Sequence, residues 1–208
     1  MEKEKRISSA VIHRMPRYYR HLCDLLDAGI TRISSGTLSQ RMGLTASQVR
    51  QDFNCFGGFG QQGYGYNVAE LRAAIASIMH IDRERRAIIV GAGNLGKALM
   101  SNFNFAKYGV RLVAAFDSNP MLIGQEISGV PIFSCRSLEQ VMADFRPDIA
   151  ILTLPKLHAR SAAQRLIASG IRGIWNFTSM DLHLDVTEVP VENIHFPESL
   201  MVLSYKIP

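Results

Sequence analysis

Apolar positions recur along the chain in two rhythms, and the change between them falls near residue 82. Upstream the spacing is helical. Tyr19, Leu22, Cys23, Leu25 and Leu26 form one apolar face of a helix that Gly29 ends, and Pro16 suits its first turn. Ser35 to Met42 predicts a short helix broken by Gly43. Thr45-Ala-Ser-Gln48 reads as a capping box: the Thr45 hydroxyl accepts from the Gln48 amide, and the Gln48 side chain reaches back. That opens a helix through Val49, Arg50, Phe53 and Phe56. Next comes a run with five glycines in eleven residues, Phe56 to Tyr66, interleaved with aromatics. It predicts a wing of two short strands with its tip near Gln61 and Gln62. Asn67 and Glu70 cap one more helix, whose apolar face is Leu71, Ala74, Ile75, Ile78 and Met79.

Downstream, short β-branched or aromatic runs alternate with helical stretches. Strands are expected at 87–90, 111–116, 148–154 and 173–177, and helices at 95–105 and 157–169. Such alternation means βαβ units and a mostly parallel sheet. The expected class is therefore α/β. A winged helix-turn-helix over 1–82 precedes a Rossmann-type parallel sheet over 83–194, and residues 195–208 form a terminal helix. In that last segment Pro197 and Glu198 suit a first turn, and Leu200, Leu203 and Ile207 recur at helical spacing. A helix so short and apolar is marginal in water, so it must pack on something, its own domain or a partner.

Composition narrows the class without naming a function. Apolar residues make up 47% of 208, enough for two small cores, and no apolar run is long enough to span a membrane. The mixed-charge start, Met1 to Arg6, does not look like a secretion signal. Cys23, Cys55 and Cys135 lie far apart with no CxxC pair, which argues against disulfides and a zinc site and fits a reducing cytoplasm. Net charge is +5, and residues 1–80 carry ten Lys/Arg against six Asp/Glu. A positive N-terminal part suits a polyanionic partner, or simply a solvated surface.

Gly91-Ala92-Gly93-Asn94-Leu95-Gly96 carries the most chemistry. It follows a predicted strand and opens a predicted helix, and Asp117 closes the next strand 21 positions after Gly96. In that context Gly91 permits the tight turn, Gly93 lets the backbone approach a pyrophosphate, and Gly96 lets helix and strand pack closely. Asp117 would accept from an adenosine ribose hydroxyl and repel a 2′-phosphate, favouring NAD(H) over the phosphorylated form. Thr153-Leu-Pro155 and Asn176 lie at strand ends on the edge where such ligands bind, although either turn would also serve as plain connection. In the first part, Thr45, Ser47, Gln48, Arg50 and Gln51 sit at the start of a candidate recognition helix, where Arg reads guanine and Gln reads adenine. Arg17 is a candidate phosphate contact. No GxSxG, HExxH or Cys–His arrangement appears, so no catalytic or metal-binding residue is expected. Nothing places His158, Asp148 and Asp181 together.

Several strings, taken jointly and in order, point to one family: Arg14-Met-Pro-Arg-Tyr-Tyr-Arg20, Val49-Arg-Gln-Asp52, the glycine-aromatic run, Gly91–Gly96, Ala115-Phe-Asp117 and Gly170 through Phe177. The chain closely resembles the Rex redox-sensing transcriptional repressors. That resemblance implies a homodimer on double-stranded, pseudo-palindromic operator DNA, with NADH or NAD+ in the Rossmann domain. It also implies a C-terminal helix exchanged between subunits, Phe196 near the partner's nicotinamide, and DNA release on NADH binding. Arg20 matches a position that pairs with an acid in some members. Here His195 stands where those members have Asp, so the same ion pair does not form. Asn102 stands where some have Tyr, and Gln62 where some have a basic residue. Outside this family, a small NAD-dependent dehydrogenase and a regulator sensing another nucleotide remain as alternatives. About 125 residues after the boundary leave a dehydrogenase little room for a substrate domain.

Overall fold

The computed structural model describes residues 7–57, 64–182 and 189–207. The chain divides into two compact units, Met1–Arg83 and Glu84–Pro208.

In the first unit, α1 (Ser9–Asp27) starts earlier than its proline suggests. Ser8 caps it by accepting from Val11 N, so Pro16 falls inside the helix rather than at its start. A proline is a start signal only when no better cap lies upstream, and here a serine does. The buried face is accordingly Val11, Met15, Tyr18, Leu22 and Leu25, spaced four and three apart, while Tyr19 and Leu26 flank it. A two-residue strand β1 (Arg32–Ile33) leads to α2 (Ser35–Met42), capped by Ser34 and closed by left-handed Gly43. Then α3 (Ala46–Asn54) opens on Thr45, whose hydroxyl accepts from Gln48 N at 3.1 Å. It ends before Phe56, two residues short of the expected span.

The wing tip, with Gln61 and Gln62, lies outside the described residues. Its returning strand β2 (Tyr66–Asn67) pairs antiparallel with β1, through Ile33↔Tyr66 and Arg32↔Asn67. The described part of the wing thus takes its partner from the turn before α2. Gly65 makes that pairing possible: it is left-handed (φ +69°), and a Cβ there would stand 2.7 Å from Ile33 O. Asn67 then caps α4 (Val68–Ile78), accepting from Ala69 N and Glu70 N, and α4 packs on α1.

The second unit holds a seven-stranded sheet of β3 (Arg85–Val90), β4 (Val110–Asp117), β5 (Glu126–Ile127), β6 (Val130–Ser134), β7 (Ile149–Leu152), β8 (Gly173–Asn176) and β9 (Val191–Asn193). Their spatial order is β5-β6-β4-β3-β7-β8-β9, and every pair is parallel except β5 with β6. Leaving out the β5 hairpin arm, this is the doubly wound order 3-2-1-4-5-6. The expected winged-helix and Rossmann combination is therefore the architecture of the chain.

Alternation along the strands feeds two cores. Ile88, Val90, Ala114, Phe116, Ala150 and Leu152 face α6 (Leu138–Phe145) and α7 (Lys156–Ala168). Ala87, Ile89, Ala115, Ile132 and Ile151 face α5 (Asn94–Asn102) and the turn carrying Phe105. The last helix, α8 (Phe196–Tyr205), has no buried residue; Leu200, Met201, Val202 and Leu203 are each more than half exposed. No helix among the described residues is long and apolar enough to cross a membrane.

Candidate functional site

The chain order reverses between β3 and β7, whose carboxyl ends are joined by a hydrogen bond from Thr153 Oγ1 to Gly91 O at 2.7 Å. The glycine turn is built on that bond. Gly91 holds φ +105°, and a Cβ there would lie 2.8 Å from the Thr153 backbone. Gly96 packs so closely that a Cβ would collide with Gly91 O. Gly93 differs from both: nothing stands within 4 Å of its Cβ position. It opens α5 with no side-chain cap, so the N-terminal amides of that helix face open space with positive dipole character. This is a fitting cradle for a diphosphate. The residues present suit the dinucleotide that the turn implies: Gly93, Asn94 and Leu95 would hold its phosphates.

Asp117 has a more immediate task than a ribose contact. Its Oδ2 accepts from Ala92 N at 2.7 Å, and its Oδ1 accepts from Asn119 N at 2.8 Å. The acid thereby pins the glycine turn to the end of β4. It also lines a cavity of about 360 Å³ that runs past Gly91, Gly93, Thr153 and Pro155 to Cys135, His158 and Arg165. Cys135 and Arg165 carry no motif to mark them, and His158 was named in the sequence only as one member of an acid/base set. Arg165 is held there by Glu139 at 2.8 Å and by the Cys135 carbonyl at 3.1 Å. Burial pushes the Cys135 thiol up, which keeps it protonated.

Asn176 requires a correction. Its side chain is buried, donating to Met180 O and Asn193 Oδ1 and accepting from the Thr178 amide and hydroxyl. All of its polar capacity is engaged in tying β8 to β9 and the following turn, so the side chain has nothing left for a ligand. His158 and Asp148 lie at different places: the histidine lines the cavity, while Asp148 sits at the opposite edge bonded to the Arg86 amide and Arg172. They form no acid/base pair. Asp181 meets His195 instead, at 3.0 Å from Nε2. Next to it Phe196 is 55% exposed and tilts against Phe177 at 6.0 Å. Phe177 continues an aromatic row through Trp175 and Phe103. Asn102 Nδ2 donates back to Ala98 O within its own helix.

In the first unit, one buried carboxylate ties α3 to α1. Asp52 accepts from Arg14 through two bonds of 2.7 Å, from the Tyr18 hydroxyl at 2.9 Å, and from Gln48 Nε2 at 3.2 Å. Burial alone would raise its pKa, but bonds from Arg14, Tyr18 and Gln48 outweigh that and hold it below the usual carboxylate value. The same burial pushes the Tyr18 hydroxyl up, with the bond to Asp52 adding to it. Gln48 therefore does not close a capping box, because its side chain is drawn down the helix to Asp52. The bond engages one N–H of the Gln48 amide, and its other N–H and its Oε1 keep their capacity. Ser47, Arg50 and Gln51 remain exposed on α3, joined by Asn54 one turn on. Arg50 Nη1 donates to Ser35 Oγ at 3.2 Å, which aims the guanidinium along α2. Arg17, also exposed, donates to Met42 O at 2.8 Å, and Arg20 is exposed on α1.

Comparison with known proteins bears on both units. A family model described as "Putative DNA-binding protein N-terminus" matches residues 6–54, and one described as "CoA binding domain" matches residues 82–180. The redox-sensing transcriptional repressor Rex of Clostridium beijerinckii is 47% identical over 205 residues, covering 99% of this chain and 97% of that one. The chain belongs to the Rex family. Rex of Caldanaerobacter subterraneus subsp. tengcongensis is 48% identical over 207 residues, covering 100% of this chain and 92% of its own. Among solved structures, RSP in complex with β-NAD+ and operator DNA superposes with a TM-score of 0.91 at 47% identity, over 97% of this chain and 92% of that chain. RSP with β-NADH gives a TM-score of 0.90 at 43% identity, over 98% of this chain and 95% of that chain. Rex membership also accounts for the two halves occurring in one chain.

Proposed function

We propose that this chain is a homodimeric repressor that holds operator DNA when NADH is scarce and releases it when NADH binds, so reading the cytoplasmic NADH/NAD+ ratio. The observation that carries the reading is a full-length likeness to RSP, captured with NAD+ and operator DNA and separately with NADH. The residues of each unit agree with it. The open space over Gly93 leaves room for a pyrophosphate against the α5 amides, with Ala92, Gly96 and Asp117 shaping that turn. Thr153 and Pro155 bound the far side of the same cavity. On α3, Ser47, Arg50 and Gln51 read base edges, Thr45 sets the helix start, and Arg17 holds a phosphate, with Gln61 and Gln62 at the wing tip. The boundary between DNA-binding and cofactor domains is placed at 82/83.

Coupling rests on the C-terminal segment. A helix with no buried residue and a row of exposed apolar side chains belongs against a second subunit. There Phe196 would meet the partner's nicotinamide, where an apolar ring favours the neutral reduced form over the cationic oxidised one. With Asp181 as its neighbour, His195 replaces the ion pair that Arg20 makes in some relatives. A 100-fold change in DNA affinity requires about 2.7 kcal/mol of coupling between the two sites. An enzymatic role has less support, since the full-length relatives are named as repressors. Titrating an operator-like duplex with protein, alone and with NADH or NAD+, tests the proposal. NADH should weaken binding far more than NAD+; equal responses to both would overturn it.

A further inference from the structure

The cavity beside the glycine turn is lopsided with respect to a dinucleotide. Its wall runs from Gly91 and Gly93 past Asp117 and Ser118 to His158 and Arg165. Among the described residues, nothing after Arg165 contributes to it. Phe177, His195 and Phe196, at the nicotinamide end of the proposed reading, stay outside, and Phe196 is more than half exposed. At about 360 Å³ the cavity falls near the low end of small-ligand sites, which span about 300–1,000 Å³.

Each part of that wall suits one piece of an adenosine diphosphate. The open space over Gly93 and the uncapped start of α5 suit two phosphates. Asp117 already accepts from two backbone amides, yet a carboxylate has about four acceptor sites, which leaves capacity for ribose hydroxyls. Beyond it, Leu138, Leu154, Pro155 and Ala162 supply apolar surface for a base. Arg165, held by Glu139 at 2.8 Å, bounds that end. One chain therefore encloses the adenosine half of the ligand and leaves the nicotinamide half to Phe196 of a second subunit.

A ligand shifts a two-state equilibrium only through a difference in its affinity for the two states. On the repressor reading above, that difference arises where Phe196 meets the nicotinamide, and a nucleotide lacking this ring takes no part in it. We propose that an adenine nucleoside diphosphate binds this cavity as a silent competitor. It excludes NADH, leaves the operator bound, and so raises the NADH concentration at which DNA is released. The inference rests on the repressor reading, and it sets NADH against the adenine nucleotide pool as well as against NAD+.

The probe is ADP, added to the full chain in calorimetry and in operator binding. Calorimetry should show ADP binding in the absence of NADH, and ADP alone should leave operator affinity unchanged. At about ten times its own dissociation constant, ADP should raise the NADH release midpoint about elevenfold. Phe196→Ala should blunt release by NADH yet bind ADP as the wild type does, because that ring lies outside the cavity. ADP-ribose and its 2′-phosphate differ only at the hydroxyl that would face Asp117; the first should compete and the second far less. ADP that leaves the midpoint unmoved would overturn this inference alone, and so would ADP that releases the operator by itself. Equal competition by the 2′-phosphate would also overturn it, since the competitor would then sit away from Asp117. A wild type whose operator binding ignores NADH would overturn the repressor reading and this one together.

Discussion

Arg14 and Asp52 meet through two hydrogen bonds of 2.7 Å each, joining α1 to α3. Asp52 is 1% exposed, and its remaining capacity goes to Tyr18 and Gln48. The orientation of Arg50 and Gln51 on α3 therefore depends on a pair 38 residues apart in the chain.

Removing the acid should be costly. Asp52→Ala leaves Arg14 and Tyr18 without their acceptor and should lower stability by about 3 kcal/mol in urea denaturation followed on the full chain. Because the folded pKa of Asp52 is depressed from 3.8, its contribution is present above that value. It is lost as pH falls through the lower folded value. Asp52→Asn should flatten the acid limb of the stability profile there. An acid limb identical to the wild type's would show that other carboxylates carry it.

On DNA, Arg50→Ala should lose about 1–3 kcal/mol of discrimination between operator and scrambled duplex. Arg17→Ala should weaken both duplexes alike. Competition binding with the two sequences separates these outcomes, and full operator preference in Arg50→Ala would mean that another face of α3 reads the bases.

The glycine turn offers a pair of contrasting substitutions. Gly93→Val places its methyls in open space, so the protein should fold normally, bind DNA and ignore NADH. Gly96→Val drives a side chain into Gly91 O and should destabilise the second unit itself. Calorimetry and NADH fluorescence on both variants check this. A Gly93→Val protein that binds NADH as tightly as wild type would place the phosphates elsewhere.

Deleting residues 195–208 should leave monomers or loose dimers that no longer release DNA on NADH addition. Sedimentation and operator binding with NADH measure the two consequences. A tight, NADH-responsive dimer after the deletion would rule out the C-terminal helix as the coupling element.

Much of this was legible along the chain because the signals were local. Gly43, Asn67 and the Gly91–Gly96 turn carry their backbone demands in single residues, and β3, β4, β7 and β8 are apolar runs bounded by polar ones. Pro16 misled because its helix has a better cap eight residues earlier, at Ser8. Gln48 and Asn176 misled for a different reason. Gln48 looked like the partner in a capping box, but its i,i+4 neighbour Asp52 takes its amide, and Asn176 looked available but is bound to Asn193, 17 residues on. The strands β5 and β9 are only two and three residues long, too short for periodicity to register, and β6 carries Pro131 within its five residues, which weakens its strand signal. Strands β5 and β6 are joined through Ser128 and Gly129, both at positive φ, a hairpin turn that a Ser-Gly dipeptide only weakly announces.

Asp117 carries one further implication. Both of its oxygens already hold backbone amides, those of Ala92 and Asn119, before any ribose arrives. A lineage drifting towards the phosphorylated dinucleotide would need to lose the negative charge at this position. In doing so it would also release the turn that seats the pyrophosphate. On the proposed reading, cofactor choice and the shape of the glycine turn then rest on one side chain, so a single substitution there would not simply exchange one nucleotide for the other. Such a change requires a second residue that first takes over the Ala92 amide, which makes the preference resistant to stepwise evolution.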